Sequence, residues 1–203
     1  MAAQCRQLRS FRAGSPVGGD GYDLAVAARV ISRGIQAADN ETWLWELVEA
    51  AWAPLGAEVN VARRALAARR PGEQLEKLPV LKGAREAFTA SLASQCHGLT
   101  VPELTALDRV VERKLYDIDS AELHAVTGGS DDGFLYARGF IVAMGRGFYY
   151  AVAADALMAV PRAGFEDMCY FFAHLCHERY GSFPGTGSGI SRESCSNLAG
   201  WPR

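Results

Sequence analysis

The feature that most constrains the fold is a helix-start signal followed by apolar residues at helical spacing. Thr100-Val101-Pro102-Glu103 has the form of a capping box, in which Thr and Glu each bind a backbone N–H that the helix leaves free. Proline fits the first turn because no helical N–H bond is needed there. Apolar residues then recur at steps of three and four, at Leu104, Leu107, Val111 and Leu115. This pattern predicts an amphipathic helix.

The same spacing recurs along most of the chain, and strict alternation of apolar and polar residues is absent. Helices are predicted over about 22–39, 40–52, 59–69, 81–95, 100–115, 120–126, 134–150 and 163–180. Asn40 is the expected N-cap of the second helix, and Gly145 and Gly147 are expected to break the seventh. With 203 residues, 49% of them hydrophobic, the chain has enough apolar material for a sizeable core. We therefore predict an all-α fold, a single compact multi-helix domain.

The two ends differ from this pattern in composition. Residues 1–21 are rich in Gly, Ser and Arg and predict a flexible leader, whereas the helical domain is expected over 22–180. Residues 181–203 form a Gly/Ser-rich tail that is expected to be partly irregular. Trp201 is the residue expected to anchor this tail to the body.

Charge and cysteine content narrow the classes of function. The formal net charge is -2, so no bulk positive field favours nucleic acid or an anionic membrane. No stretch approaches the length of a membrane-spanning helix. Five scattered cysteines without a Cys-x-x-Cys pair indicate reduced thiols in a cytoplasmic protein. We expect no nucleic-acid or membrane partner, no cofactor and no metal centre; the oligomeric state stays open.

The best functional candidate is Ser130-Asp131-Asp132, which follows Gly128-Gly129. In one interpretation the turn is structural, because Ser130 can cap the next helix and the two aspartates complement its dipole. In the other, the carboxylates bind a polar ligand together with Arg138, which lies seven residues, or two turns, after Asp131. Arg138 stands in an apolar stretch, and pairing with either aspartate would satisfy its charge. A magnesium site on the two carboxylates is a weaker alternative.

These residues also carry a resemblance. The stretch from Leu115 to Tyr149 resembles the bacterial family catalogued as domain of unknown function 4240, and the resemblance covers about residues 41–180. Its features match Trp43 or Trp45, Tyr116, Gly128, Gly129, Ser130, Asp131, Asp132, Phe134 and Arg138. One departure is that Gly129 and Ser130 are adjacent here, without an intervening residue. The resemblance implies a helical bacterial domain and no agreed activity.

A second candidate is the polar face of the last helix. Tyr170, His174, His177 and Glu178 lie at steps of one to four. His174 and Glu178 are four residues apart, so the carboxylate can tune the imidazole as a general base. The alternative is an ordinary solvated helix face. His174 and His177 are also one turn apart, but the spacing is not that of a zincin motif.

Two functions follow from these candidates. In the first, the chain is a small cofactor-independent enzyme acting on a small metabolite. Asp131, Asp132, His174, His177 and Glu178 would then be catalytic, and the ligand would be bound by Tyr116, Ser130, Arg138 and Tyr170. In the second, it is a non-catalytic binding or regulatory module in which the Ser-Asp-Asp turn is a helix cap and an aromatic surface docks a partner. A cavity shared by an aspartate and a histidine would favour the enzyme.

Overall fold

The computed structural model describes residues 37–73 and 78–201, and the described part is all-α, without a β-strand. Its nine helices are α1 (37–52), α2 (Ala57–Ala68), α3 (Leu78–Gly83), α4 (Arg85–Gln95), α5 (Val101–Asp117), α6 (Ala121–Thr127), α7 (Asp131–Ala143), α8 (Arg146–Ala154) and α9 (Glu166–Tyr180). Three 3-10 turns lie at Ala53–Leu55, Ala156–Met158 and Leu198–Gly200. The predicted leader and most of the predicted helix over 22–39 lie outside the described residues.

The helix signals in the sequence act as predicted at most positions. The capping box at Thr100 is formed, with the Glu103 carboxylate accepting from the Thr100 backbone N–H at 2.8 Å. Gly145 separates α7 from α8 at a positive φ of 94°, a conformation that favours glycine. Gly147, also expected to break this helix, instead lies inside α8.

Two predicted boundaries are wrong. Asn40 is not an N-cap, because α1 already includes residues 37–39 and runs through it. The single helix expected over 81–95 is two helices, α3 and α4, separated by a turn at Ala84. Both errors concern local boundaries, where packing and turn geometry outweigh intrinsic preference.

The core is centred on α9, which packs between α5 and α7. Gly139 on α7 permits the close approach of α7 and α9, because a Cβ there would lie 2.5 Å from both Cys169 Sγ and the Phe165 carbonyl oxygen. At the other end of the core, fully buried Trp52 stacks on Phe88 with ring centroids 4.4 Å apart. No described helix is long and apolar enough to cross a membrane.

Residues 181–201 are irregular apart from Leu198–Gly200, as predicted for the tail. They nevertheless run over α5, α7 and α9 and bind the body at several points. Trp201 is the predicted anchor, and its indole N–H donates to Asp119 Oδ1 at 3.0 Å. Its ring also lies edge-on to Phe134, with centroids 6.0 Å apart.

Candidate functional site

The Ser130-Asp131-Asp132 turn has the geometry of a helix cap. Gly128 and Gly129 have positive φ values of 67° and 107°, which bring the chain round to the start of α7. Ser130 Oγ then accepts the Gly133 backbone N–H at 3.2 Å. Asp131 and Asp132 lie exposed in the first turn, where their charges complement the helix dipole.

Arg138 does not pair with Asp131 or Asp132, contrary to the sequence-based expectation. Its side chain is fully buried and its guanidinium donates to the Leu115 and Arg192 carbonyl oxygens, each at 2.9 Å, and to Ser194 Oγ at 3.2 Å. The guanidinium also lies 4.8 Å above the Phe134 ring. Burial lowers the pKa of Arg138, and the nearby Asp119 carboxylate opposes that change. The charge is held by carbonyl dipoles because its side chain points into the core and away from the surface turn.

The remaining predicted residues divide between two surfaces. Tyr116, near the end of α5, is half-buried beneath the Arg113 guanidinium, which lies 5.5 Å from its ring centroid. His174, His177 and Glu178 are exposed on α9, and Tyr170 is half-buried on the same helix. The α9 residues lie together, whereas no described contact joins them to Tyr116 or to the aspartates of the turn.

The α9 side chains form an aromatic strip, defined here as Tyr170, His174, His177 and Phe183. The His177 and Phe183 rings stack with centroids 4.3 Å apart and an interplanar angle of 3°. The His174 ring lies 6.0 Å from Phe183 and 5.8 Å from Tyr170. Phe183 itself is 59% exposed. Sequence reasoning missed Phe183, because a single phenylalanine in a Gly/Ser-rich tail carries no periodic signal.

Exposed carboxylates lie near this strip: Glu166, Asp167 and Glu178 on α9 itself, and Glu193, whose charge acts on Tyr170. Glu166 accepts from the Tyr136 hydroxyl at 3.1 Å, and this bond raises the pKa of Tyr136. Burial, with Glu193 adding to it, raises the pKa of Tyr170. None of these carboxylates forms an ion pair with a described Lys, Arg or His residue. The α9 side of the strip is therefore rich in negative charge, whereas at its other end the Arg192 guanidinium lies 5.5 Å from the Tyr170 ring centroid.

A buried polar layer, defined here as Asp108, Asp119, Arg138 and Arg192, joins the helical body to the C-terminal segment, residues 186–201, which contributes Arg192. Arg192 donates to Asp108 Oδ2 and to the Cys169 carbonyl oxygen, each at 2.5 Å. Asp119 is fully buried and accepts the backbone N–H groups of Cys195 and Asn197 at 3.1 and 2.9 Å. Burial raises the pKa of Asp108, although the Arg192 guanidinium opposes the rise. Sequence reasoning missed Asp108, Asp119 and Arg192, which belong to no motif and meet only in the folded chain.

The described cysteines differ in their exposure to solvent. Cys96, Cys169 and Cys176 are buried, whereas Cys195 is exposed. Burial raises the pKa of Cys96 to about 11 and that of Cys169 to about 12. A thiol with so high a pKa is a poor nucleophile at neutral pH. The buried cysteines therefore act as packing residues.

The cleft that the structure forms beside α1 does not contain the predicted catalytic residues. A cleft of about 430 Å³ opens between α1 and α2 and is lined by Glu49, Asn60, Arg63 and Arg64 among others, but by none of the predicted site residues. Within residues 37–73 and 78–201, no group of three or more His, Cys, Asp or Glu side chains is placed to hold a metal ion.

Comparisons with protein-family models, curated proteins and solved structures gave no match for this chain. The resemblance to domain of unknown function 4240 therefore stays a prediction. The functional argument accordingly depends on the geometry of the chain's own residues.

Proposed function

We propose that this chain is a non-catalytic binding module, in which the Ser-Asp-Asp turn is a helix cap and the aromatic strip docks a basic segment of a partner protein. The observation that carries the proposal is the exposed face of Phe183, which is held flat against His177. An aromatic side chain fixed in this way contributes contact area without further loss of conformational freedom on binding.

The charge around the strip supports a cationic partner. The four carboxylates near the strip have no described ion-pair partner, so a Lys or Arg side chain from outside can meet them without displacing a salt bridge. A guanidinium or ammonium over the exposed Phe183 ring would gain a cation–π contact, whereas the Tyr170 ring already has the Arg192 guanidinium 5.5 Å from its centroid. Complementary charge also speeds association and orients the partner.

The orientation of the turn agrees with this function. Ser130 Oγ accepts a hydrogen bond from the Gly133 N–H, and the Arg138 guanidinium donates to buried carbonyl oxygens. These two residues thus hold the start of α7, while Asp132 stays exposed to solvent.

The test is a titration of the full chain with a fluorescent peptide of alternating Lys, Arg and Gly, beside a matched peptide with Glu in place of the basic residues. We expect saturable binding of the basic peptide only. Phe183→Ser should weaken it about fivefold, the equivalent of about 1 kcal/mol. The matched control is Val61→Ser on α2, where the side chain is 50% exposed and distant in sequence from the strip.

Equal loss in the Phe183 and Val61 variants would contradict the proposal, as would equal binding of the acidic peptide. Salt dependence gives a second readout. Binding that depends on charge alone would disappear at high salt in wild type and Phe183→Ser alike, whereas a specific aromatic contribution would keep the two proteins different.

A further inference from the structure

Two of the chain's four histidines lie in the aromatic strip, beside the exposed Phe183 ring. The His177 ring stacks on Phe183 with centroids 4.3 Å apart, and the His174 ring lies 6.0 Å from Phe183 at an angle of 65°. Both histidines are exposed to solvent. A cation that a partner places over the outer face of Phe183 is therefore close to two side chains that can themselves become cations.

No described polar contact holds either imidazole in one state of charge. Among the described residues, the one histidine side chain in a hydrogen bond is that of His124, which meets the Gly129 carbonyl oxygen at 3.3 Å. The ion pairs in the described part of the chain include no histidine. Histidine is the side chain that ordinarily changes its charge between about pH 5 and pH 8. His174 and His177 can therefore take up a proton without breaking a contact.

The surroundings of the two histidines contain charges of both signs. His177 lies in the last turn of α9, where the negative end of the helix dipole attracts cations. Glu178 lies four residues after His174, and residues at this spacing are neighbours on a helix. The charged groups that face the strip from the elements around it are Asp167, Glu178 and Arg179 on α9, Arg109 on α5, and Arg192 and Glu193 in the C-terminal segment.

A charged imidazole would compete with the cation of a partner in two ways. Stacked on Phe183, it would use the same negative π system that a Lys or Arg side chain needs on the outer face of the ring. Beside Glu178, it would neutralise a carboxylate that otherwise meets the partner. Protonation thus gives the strip cations of its own.

We propose that the aromatic strip binds its basic partner at neutral pH and releases it on mild acidification, through the charge that His174 and His177 gain. The inference rests on the proposed function and adds the regulation of the same site. In water, a like charge at about 6–8 Å weakens binding about two- to threefold, so the two histidines together should weaken it about fivefold. Because linkage is reciprocal, binding of the partner must also expel protons from the strip.

The experiment titrates the full chain with the basic peptide of Lys, Arg and Gly at about pH 7.5 and about pH 5.5, in low salt, and compares the two dissociation constants. We expect the constant of wild type to be about fivefold higher at the lower pH. In the double variant His174→Gln/His177→Phe the two constants should be nearly equal, because the new phenylalanine keeps a ring beside Phe183 but carries no charge. The matched control is His97→Gln, an exposed histidine on the turn after α4 whose ring has no described contact with the strip, and it should keep the wild-type change.

A second measurement uses wild type alone, so it decides the question even if the double variant fails to fold. Calorimetry at about pH 6.5, in two buffers that differ in their enthalpy of ionisation, should show a net release of protons when the peptide binds. Binding without proton release would overturn the inference. An equal change with pH in wild type and a folded double variant would also overturn it, since the change would then arise elsewhere.

The outcomes separate this inference from the proposed function. Saturable binding of equal strength at both pH values would overturn the pH control and leave the binding module intact. No binding of the basic peptide at about pH 7.5 would overturn both proposals.

Discussion

The start of α7 and the layer beneath the C-terminal segment both contain aspartates, and they use them in opposite ways. Asp131 and Asp132 belong to the most conspicuous motif in the chain, yet both are exposed and contact few other groups. Asp108 and Asp119 belong to no motif, yet they are 2% and 0% exposed and bind Arg192 and the C-terminal segment. A clear local motif is thus a poor guide to which charged residues hold this fold together, because the free energy that a charge contributes depends on its burial.

The largest expected effect concerns Asp119. Asp119→Ala removes the acceptor of the Cys195, Asn197 and Trp201 N–H groups and removes the carboxylate whose charge most favours the charged form of Arg138. We expect a loss of about 3–5 kcal/mol in the free energy of unfolding, the usual cost of breaking a buried charged network. Urea unfolding measures it. The control Asp117→Ala removes a 40% exposed partner of Arg113 and should cost less than about 1 kcal/mol. Equal losses in the two variants would show that burial does not determine how much each carboxylate contributes to stability.

A smaller effect is expected at the cap of α7. Ser130→Ala removes the acceptor of the Gly133 N–H and should cost about 1 kcal/mol, whereas Ser130→Asp should retain most of the stability. The comparator Asp132→Asn should cost about 0.5 kcal/mol or less, since it removes only an exposed charge near the helix dipole. Thermal and urea unfolding of the three variants give these values. A larger loss in Asp132→Asn than in Ser130→Ala would contradict the capping role.

The smallest effect is a difference in pH dependence. Burial raises the pKa of Asp108 above its ordinary value of 3.8, so the folded state takes up this proton before the unfolded state does. As pH falls from neutral toward 3.8, protonation of Asp108 therefore stabilises the folded state. The free energy of unfolding of wild type should rise relative to that of Asp108→Asn by about 1 kcal/mol or less.

Glu41 provides the opposite case for that measurement. Burial acts to raise its pKa, but hydrogen bonds from Lys114, Tyr150 and Trp45 outweigh burial and lower it. The stabilising contribution of Glu41 is present at neutral pH and is lost as pH falls through its folded-state pKa. The free energy of unfolding of wild type should therefore fall relative to that of Glu41→Gln on acidification. The test is urea unfolding between neutral pH and about pH 3.8, which gives the difference in the free energy of unfolding between wild type and each variant. If both differences changed with pH in the same direction, the opposite pKa changes of Asp108 and Glu41 would be contradicted.

The helices were predictable because their signals are local. Thr100 and Glu103 are three residues apart and Ser130 and Gly133 likewise, so each cap needs only its own turn to form. The same local evidence failed at Ala84, where a turn divides α3 from α4, and at Asn40, which lies inside α1. A residue that favours the N-cap position becomes an N-cap only where a helix begins, and tertiary packing decides where that is.

The candidate site was predictable only in part, for the same reason. The helical period brought Tyr170, His174 and His177 to one face, since neighbours on a helix are fixed by spacing. Phe183, which completes the strip, reaches them only because the chain turns back at Gly181. Arg138 was expected to bind an aspartate of its own helix, but its side chain points into the core and meets carbonyl groups from residues 115 and 192.

By itself, then, the sequence determined the all-α class, the main helices and the anchoring role of Trp201, because each depends on the period of a helix or on one aromatic side chain in a polar tail. The cap at Ser130 was one of two interpretations that the sequence left open. Only the tertiary structure decided which charged side chains are buried and which of them form contacts with one another. Asp108 and Arg192 are 84 residues apart along the chain and 2.5 Å apart in space. Such a contact follows from how α5, α7 and α9 pack and from where the chain goes after them, and no local pattern contains that information.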